Sequence, residues 1–284
     1  MPASLSAEET ISLRLQPPLA FITLSNPSKL NALDSHCYYR LACLMQDVAD
    51  NPAISVTILT GTGRFFSAGA DVSSSIFSEY RPSFADPSIP ASDRHAFRRE
   101  VFRSFIANNL DITRAFYMHP KILIGALNGP AVGLSAALLG FCDFIYATPH
   151  TFLLTPFSSL GLVAEGGASI GFVNRMGIAL ANEALIMSRK ITMDKLLSSG
   201  FVTKEFPADD KFLSNVVDEV KDKLGEHLNQ ESILKIKALI RERERAEMEA
   251  QGVKEVIAGL DRFAKGVPQE EMLKISSGEK KHKL

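Results

Sequence analysis

One carboxylate stands alone among glycines and aliphatic residues in the segment GLVAEGGASIG, residues 161–171. This residue, Glu165, would lose much of its solvation energy on burial unless a partner satisfied it or a reaction used it. Apolar surroundings also raise the pKa of a carboxyl group towards the range in which it works as a base. Glu165 is therefore a candidate for proton transfer. The alternative is an acidic residue that stabilises a helix N-terminus beside Gly166.

Two segments of small residues could supply backbone donors to a developing negative charge. RFFSAGADV, residues 64–72, closes a strand in a tight turn, and NGPAVGLSAALLG, residues 128–140, opens a helix at Gly133 and Leu134. The first N–H groups of a helix have no partner within it. A second N–H from the tight turn would complete an oxyanion hole made of backbone alone. Close-packed turns without this role have the same spacing, so spacing alone leaves both interpretations open.

Other kinds of site are disfavoured. GTGRFF has Phe66 where a dinucleotide-binding fingerprint has its third glycine, and GLSAA has Ala137 where a nucleophile elbow has its last glycine. The three cysteines and six histidines are scattered, which argues against a disulfide framework, a zinc site or another metal. A net charge of −1 offers no footprint for nucleic acid. No apolar run is long enough to span a bilayer.

The elements that must position these residues alternate between strand and helix to about residue 160, which predicts an α/β fold with substantially parallel pairing. We expect a helix from Leu33 to Val48 and another from about Arg94 to Met118, with a long loop from Val72 to about Asp93 between them. The expected strands are two around Pro17-Pro18 in ISLRLQPPLAFITLS, and one each in ISVTILTG, KILIGALNG, CDFIYAT and TFLLTP.

The composition changes after Phe206-Pro207. Glycines and β-branched runs give way to charged, amphipathic helical patterns such as ESILKIKALIRERERAEMEAQ. We therefore divide the chain into an α/β core with the candidate site, residues 1–205, and a C-terminal helical region, residues 206–284.

RFFSAGAD, NGPAVGLSAALLGFCD and the LGLVAEGG loop, in this order, resemble the crotonase, or enoyl-CoA hydratase/isomerase, superfamily. The likeness runs from NPSKLNAL to GFVTKEF, about three-quarters of the chain. It implies a spiral of ββα turns and a C-terminal helical region that forms trimers or dimers of trimers. It also implies an acyl-CoA substrate. No metal or redox cofactor is expected, because coenzyme A belongs to the substrate.

The resemblance also assigns residues. The oxyanion-hole donors would be the N–H groups of Ala70 and Leu134. The turn that meets coenzyme A, with backbone carbonyls around Ser67 and Ala68 facing the adenine, would comprise Ser67, Ala68, Gly69, Ala70, Asp71 and Val72. Lys29 is a candidate for a coenzyme A phosphate. Asp71 and Asp143 are expected to satisfy nearby backbone donors.

Members of the superfamily differ in their acidic residues. The two glutamates of hydratases are replaced here by Ala137 and Phe157, so water addition by that pair is not expected. Glu165 matches the single glutamate of the peroxisomal Δ3,Δ2-enoyl-CoA isomerase subgroup. An asparagine orients that glutamate in the subgroup; Asn109 falls on its position, and Asn108 is the alternative one residue away. A dienoyl-CoA isomerase, a hydratase and a catalytically silent scaffold that binds acyl-CoA or partners remain as rivals.

The chain ends in His282-Lys283-Leu284, which resembles the Ser-Lys-Leu type of peroxisomal address. The N-terminal residues lack the features of a secretory or mitochondrial presequence. The sequence therefore predicts a peroxisomal matrix protein that an import receptor recognises at its C-terminus; a solvated basic tail is the alternative.

Overall fold

The structure, a computed structural model, describes residues 5–71 and 87–280. The predictions made for Val72, for residues 72–86 of the long loop and for His282, Lys283 and Leu284 fall outside these residues.

The larger sheet contains six strands within the described residues, in the order β1-β2-β3-β4-β6-β9. β1 and β2 are antiparallel and turn at Pro17-Pro18, as predicted, and every other neighbouring pair is parallel. Leu19, Phe21, Val56 and Ile58 are buried on one face of this sheet, and residues alternating with them are buried on the other. The strands are β1 (Ile11–Gln16), β2 (Leu19–Leu24), β3 (Val56–Gly61), β4 (Ile122–Leu127), β6 (Phe144–Ala147) and β9 (Lys204–Glu205).

A smaller sheet contains β5 (Ala131–Val132), β7 (Phe152–Leu154) and β8 (Ile191–Thr192). Isolated bridges from Ser67 to Ala131 and from Leu33 to Ala70 extend it towards the segment SAGAD. The chain alternates between the sheets, since β4 and β6 belong to the larger and β5 and β7 to the smaller. This is the repeating ββα arrangement expected from the sequence.

The helices of the core cover the sheets. On α2 the buried residues Tyr38, Leu41, Met45 and Val48 recur at helical spacing, and the Asp34 carboxylate caps its start by accepting the N–H of Cys37 at 2.8 Å. The helices are α1 (Ala7–Thr10), α2 (Ser35–Asp50), α3 (Ala91–Val101), α4 (Asn108–Tyr117), α5 (Gly133–Leu138), α6 (Ala168–Leu185) and α7 (Met193–Ser198).

The helix predicted from about Arg94 to Met118 differs from the expectation in one respect. A π-helical segment, Phe102–Ala107, joins α3 to α4. The inward positions Val101, Phe105, Asn109 and Thr113 recur every four residues, which drifts by about 40° per step on an α-helix. A wider π turn absorbs this drift, so both halves of the helix keep their inward faces against the core.

Three helices form the C-terminal region: α8 (Phe212–Leu224), α9 (Gln230–Ala264) and α10 (Val267–Ser276). α8 packs Phe212, Val216 and Val220 against one face of the larger sheet. α9 continues past α4 and α6, and α10 returns beside residues 158–160. No helix among the described residues is long and apolar enough to cross a membrane.

A buried ion pair fixes α9 to the core. Lys237 Nζ lies 2.6 Å from Asp143 Oδ2, and Arg241 lies 3.1 Å from Asp143 Oδ1. Asp143 also accepts the backbone N–H of Leu123 at 2.8 Å, as the sequence predicted. The two basic partners from α9 were not predicted.

Candidate active site

Glu165 forms part of the wall of a cavity of about 320 Å³. Burial raises the pKa of this carboxyl group to about 8, the negative charge of Glu255 adds to the increase, and a hydrogen bond from Asn109 opposes it. A carboxyl group with this pKa can accept a proton near neutral pH and give it back.

Asn109, on the first turn of α4, is 4% exposed and bonds both to the side chain of Glu165 and to the backbone of the next residue. Its Nδ2 donates to Glu165 Oε2 at 2.9 Å, and its Oδ1 accepts the N–H of Gly166 at 3.2 Å. Asn108 instead donates to the carbonyl oxygens of Ser35 and Ser104, at 3.3 Å each. Of the two adjacent amides, Asn109 is the one that orients Glu165.

The turn after Glu165 requires glycine at two consecutive positions. Gly166 and Gly167 have φ values of +65° and +70°, in the left-handed region. A Cβ atom would lie 2.6 Å from Leu134 Cδ1 at Gly166 and 2.4 Å from Phe141 Cζ at Gly167. The two glycines therefore let the turn after Glu165 lie directly against Leu134 and Phe141, where there is no room for a side chain.

Glu255, on α9, binds the other side of this turn. Its carboxylate accepts the N–H of Gly167 at 2.8 Å and the N–H of Ser169 at 3.0 Å. Glu255 thereby caps the N-terminus of α6, although it lies 88 residues after Gly167 in the sequence. Sequence reasoning missed Glu255, because in the sequence it is one of many acidic residues on a charged helix.

The two segments expected to form the oxyanion hole lie in contact. A Cβ atom at Gly69 would lie 2.7 Å from the carbonyl oxygen of Val132, directly before α5. Gly69 O accepts from Leu33 N and Leu33 O accepts from Asp71 N, at 2.9 Å each, so the N–H of Ala70 points to the opposite side. The N–H of Leu134 belongs to the first turn of α5, where no intrahelical partner exists.

The side chain of Ser67 lies inside the protein. Ser67 is 0% exposed, and its hydroxyl group bonds to Asn31 O at 2.8 Å and to Ser135 Oγ at 2.9 Å. Its carbonyl oxygen accepts the N–H of Val132 at 2.9 Å. The expectation that this carbonyl faces a bound adenine therefore does not fit the structure; Ala68, Ala70 and Asp71 of the same turn line the cavity.

Lys29 and Asp71 form an ion pair of 2.8 Å beside this turn. The Asp71 side chain is 17% exposed and that of Lys29 is 45% exposed. The ammonium group of Lys29 keeps donors for a further acceptor, since it has three and this pair uses one.

The rest of the cavity wall is mainly apolar. Phe157 stands against Ala137 and Ala168 in a small buried cluster, so the two positions where hydratases carry glutamates are both hydrophobic here. Tyr38 contributes a neutral hydroxyl group to this wall, and that hydroxyl group is 2.9 Å from Ser135 Oγ. The apolar lining residues include Leu33, Phe105, Leu160, Leu162, Met272 and Ile275.

Within the described ranges, no cluster of three or more His, Cys, Asp or Glu side chains could hold a metal ion. The arrangement that the structure does contain is one buried carboxyl group with an orienting amide, on an apolar cavity whose wall includes Ala70 and Leu134. It suits removal of a proton next to a carbonyl group whose oxygen gains negative charge.

Comparison with known proteins agrees with the fold. A family profile described as enoyl-CoA hydratase/isomerase matches residues 19–281. The chain is 54% identical to a Delta(3,5)-Delta(2,4)-dienoyl-CoA isomerase of Pyricularia oryzae, over 94% of this chain and 96% of that protein. It is 32% identical to a 3,2-trans-enoyl-CoA isomerase of Saccharomyces cerevisiae, over 100% of both.

Among solved structures, an enoyl-CoA hydratase/isomerase from Pseudoalteromonas atlantica superposes with a TM-score of 0.78 at 24% identity. The match covers 97% of this chain and all of that one. It shows that the two share a fold, with the α/β spiral and the C-terminal helices predicted from the sequence.

Proposed function

This chain belongs to the enoyl-CoA hydratase/isomerase family, and from that premise we propose that it isomerises enoyl-CoA thioesters by moving a double bond from C3 to C2. Its role would be in the β-oxidation of unsaturated fatty acids. The observation that carries the proposal is the Glu165 carboxyl group, bonded to Asn109 and open to an apolar cavity beside the turns of Ala70 and Leu134.

In the first step the carboxylate of Glu165 removes a proton from C2 of the substrate. The electrons of the C2–H bond move into a dienolate that extends from the thioester oxygen to C4. The N–H groups of Ala70 and Leu134 would stabilise the negative charge on this oxygen, where such donors have their largest effect. The apolar wall excludes water from the dienolate.

In the second step the same carboxyl group returns the proton at C4. The double bond then lies between C2 and C3, in conjugation with the thioester, and Glu165 is again a carboxylate. One carboxyl group is sufficient because both proton transfers occur on the same side of the substrate. Hydration would need a second acid to protonate carbon while a first residue activates water, and the hydrophobic residues Ala137 and Phe157 do not provide one.

A second candidate is the conversion of a 3,5-dienoyl-CoA to a 2,4-dienoyl-CoA. The observation in its favour is the 54% identity to a protein named for that reaction. The proton would have to return at C6, two carbons beyond C4. Among the described residues that line the cavity, Asp34 and Asp71 are the other carboxylates, and they are bound to Cys37 N and Lys29. This supports the shorter transfer from Glu165 as the first candidate.

Both reactions produce a conjugated thioester that absorbs in the ultraviolet, so the same assay can follow either one. The two reactions are then distinguished by the substrate that is converted faster. We would give purified protein a trans-3-enoyl-CoA or a 3,5-dienoyl-CoA, with wild type and Glu165→Gln side by side. We expect the 3-enoyl substrate to be converted at the higher kcat/KM. The variant should lose at least about 10³-fold in kcat while it still binds acyl-CoA, because Gln keeps the hydrogen bond but accepts no proton.

Faster turnover of the dienoyl substrate would favour the second candidate. Near-wild-type turnover by Glu165→Gln would contradict the assignment of the base. Binding of acyl-CoA without turnover of either substrate would leave a silent scaffold.

The proposal extends to location and assembly. His282-Lys283-Leu284 would direct the protein to the peroxisomal matrix through an import receptor, which a fluorescent fusion with and without these residues would test. The protein would act without a metal or a redox cofactor, as a trimer or a dimer of trimers.

A further inference from the structure

We propose that Glu255 is a positioning residue for the reaction, which fixes the Gly166–Gly167 turn from behind and places a second carboxylate next to that of Glu165. This inference rests on the proposed role of Glu165 as the base. Glu255 itself reaches no cavity-lining position and would not touch the substrate.

The geometry places the turn between two helices. From one side, Asn109 of α4 bonds to the carboxyl group of Glu165 and to Gly166 N. From the other, Glu255 of α9 bonds to the N–H groups of Gly167 and Ser169. Every residue from 165 to 167 is thus bound by one of these two side chains. A shift of this turn relative to the start of α5 would therefore break the hydrogen bonds of Asn109 or those of Glu255.

Glu255 is 6% exposed, an unusual burial for a carboxylate, and it is bonded to the N–H groups of Gly167 and Ser169 and to the side chain of Ser169. Burial raises the pKa of Glu255, and the hydrogen bonds from Ser169 and Gly167 oppose that increase. Each carboxylate oxygen accepts an N–H at the N-terminus of α6, an arrangement that stabilises the ionised form. When Glu255 is ionised, its negative charge acts on the Glu165 carboxyl group and raises its pKa.

The groups around Glu165 can be named element by element. α2 contributes the Tyr38 hydroxyl group, whose own pKa burial raises, and α4 contributes the neutral amide of Asn109. Asp34 and Asp71 line the same cavity at partly exposed positions. Glu255 is the charged group that acts on Glu165, and its repulsion adds to the effect of burial in raising the pKa of Glu165.

The charge of Glu255 would make Glu165 a stronger base, but a smaller fraction of Glu165 would be ionised at a given pH. A carboxylate repelled by a second one binds the C2 proton more strongly, which favours its removal from carbon. Without the second charge, Glu165 would be ionised at lower pH but would hold the proton less strongly. The rate at high pH should then fall, while the pH at which activity appears should move down.

The experiment compares Glu255→Gln with wild type and with Glu249→Gln. The amide in Glu255→Gln keeps the size of the side chain without its charge. Glu249 lies on the same helix with a side chain 48% exposed, and it pairs with Arg114 at 3.6 Å, so its substitution removes an equal charge without touching the turn. The measurements are kcat/KM against pH for the 3-enoyl substrate, and the pH titration of the Glu165 carboxyl band by infrared difference spectroscopy.

The carboxyl band is assigned as the one that Glu165→Gln lacks, so this readout does not depend on turnover. We expect Glu255→Gln to move both the carboxyl titration and the acidic limb of the profile down by about one pH unit. The kcat at high pH should fall about tenfold. Glu249→Gln should leave both unchanged. If Glu255→Gln does not fold, Glu255→Asp replaces it: the shorter side chain withdraws the charge from the turn, so the titration and the limb should move down by a smaller amount and kcat should fall.

A fall in kcat with no movement of the titration would overturn the proposal, because a purely structural cap predicts that result. Unchanged values of both would overturn it as well. Retention of activity in Glu165→Gln would instead refute the proposed base, and the infrared titration would still report whether Glu255 acts on this carboxyl group.

Discussion

Asn109 joins the side chain of one residue to the backbone of the next, and this double contact determines which way Glu165 faces. The amide nitrogen bonds to the carboxyl group and the amide oxygen to the following N–H. An ionised aspartate could not supply both a donor and an acceptor, and a serine would have both on a single oxygen, whereas asparagine places them on two separate atoms. The neighbouring Asn108 has the same chemistry and bonds elsewhere, which provides a natural control.

We predict that Asn109→Ala lowers kcat about 10²-fold, because a carboxyl group misplaced by about 1 Å loses that much. The hydrogen bond from Asn109 lowers the pKa of Glu165. Its removal should therefore move the acidic limb of the profile of kcat/KM to higher pH, the opposite direction from Glu255→Gln.

Asn108→Ala serves as the control for Asn109→Ala. It should change kcat less than about fivefold and leave the limb in place, since its partners are Ser35 O and Ser104 O. Equal losses in the two variants would show that the helix, and not the Asn109 amide, is what matters.

At this scale the structure brings together most of the residues that the sequence singled out. Glu165 was recognisable because a carboxylate among glycines and aliphatic residues needs a reason. Asn109, Ala70 and Leu134 were recognisable only through the family resemblance. Glu255 was not recognisable, because its role depends on a contact between α9 and the start of α6 that no local pattern encodes. Ser67 was misjudged because the pattern does not tell which carbonyl of a tight turn is already bonded.

Among the elements, α9 supports one wall of the cavity from behind, although none of its residues lines the cavity. Phe105 forms part of the cavity wall and packs on Phe263 of α9, with ring centroids 4.9 Å apart. Gly259 of the same helix lies directly behind Phe105: a Cβ atom there would be 2.7 Å from two ring carbons. Because Gly259 has no side chain, the ring of Phe105 can lie against α9 and leave the cavity wider.

We predict that Gly259→Ala pushes Phe105 into the cavity and lowers kcat/KM for long acyl chains about tenfold relative to short ones, as a methyl-sized change in an apolar pocket does. The comparison of a C6 and a C12 3-enoyl-CoA measures this ratio. Gly252→Ala is the matched control on α9, because a Cβ atom there would be 3.9 Å from Leu110, an ordinary contact.

Both variants gain helix propensity of about 1 kcal/mol, so thermal stability alone would not separate them. A chain-length ratio that is the same in Gly259→Ala, Gly252→Ala and wild type would contradict the role of Phe105.

The order of strands and helices followed from periodicity, because alternation and helical spacing are local properties. Helix ends were correct to within a few residues, as for α2, predicted to begin at Leu33 and observed from Ser35. The π segment was not predicted. A turn of this kind depends on how two halves of a helix pack against different neighbours, here Phe263 before it and α2 after it.

For the whole molecule, the apolar surface left exposed on one face of α9 points to assembly. Ile236, Leu239 and Ile240 are 56%, 74% and 60% exposed. Leu239 and Ile240 both follow Ile236 by about one turn, so the three residues share one side of the helix. Contiguous exposed apolar residues of this kind are a feature of protein–protein interaction sites. It agrees with the trimer proposed above, with the C-terminal helices between subunits.

We predict that Leu239→Glu dissociates the oligomer, because it places a charge in the centre of this patch. Light scattering after size exclusion should give a mass near that of one 31.0 kDa chain, against about three or six chains for wild type. Leu15→Glu is the control, since Leu15 is 47% exposed on β1 and belongs to a different surface. An unchanged mass for Leu239→Glu would exclude this face of α9 from the interface.

The π segment before Asn108 also bears on how this chain is compared with its relatives, residue by residue. A π turn contains one residue more than the α-helical turn it replaces, and one residue corresponds to about 100° of rotation. A chain with a π turn and a chain with an α turn can keep the same contacts on both sides of the segment, while their numbering beyond it differs by one. Because Asn108 and Asn109 are the same amino acid, a gapless comparison would show an asparagine in either column. Only the bond to Glu165 tells the orienting amide from its neighbour.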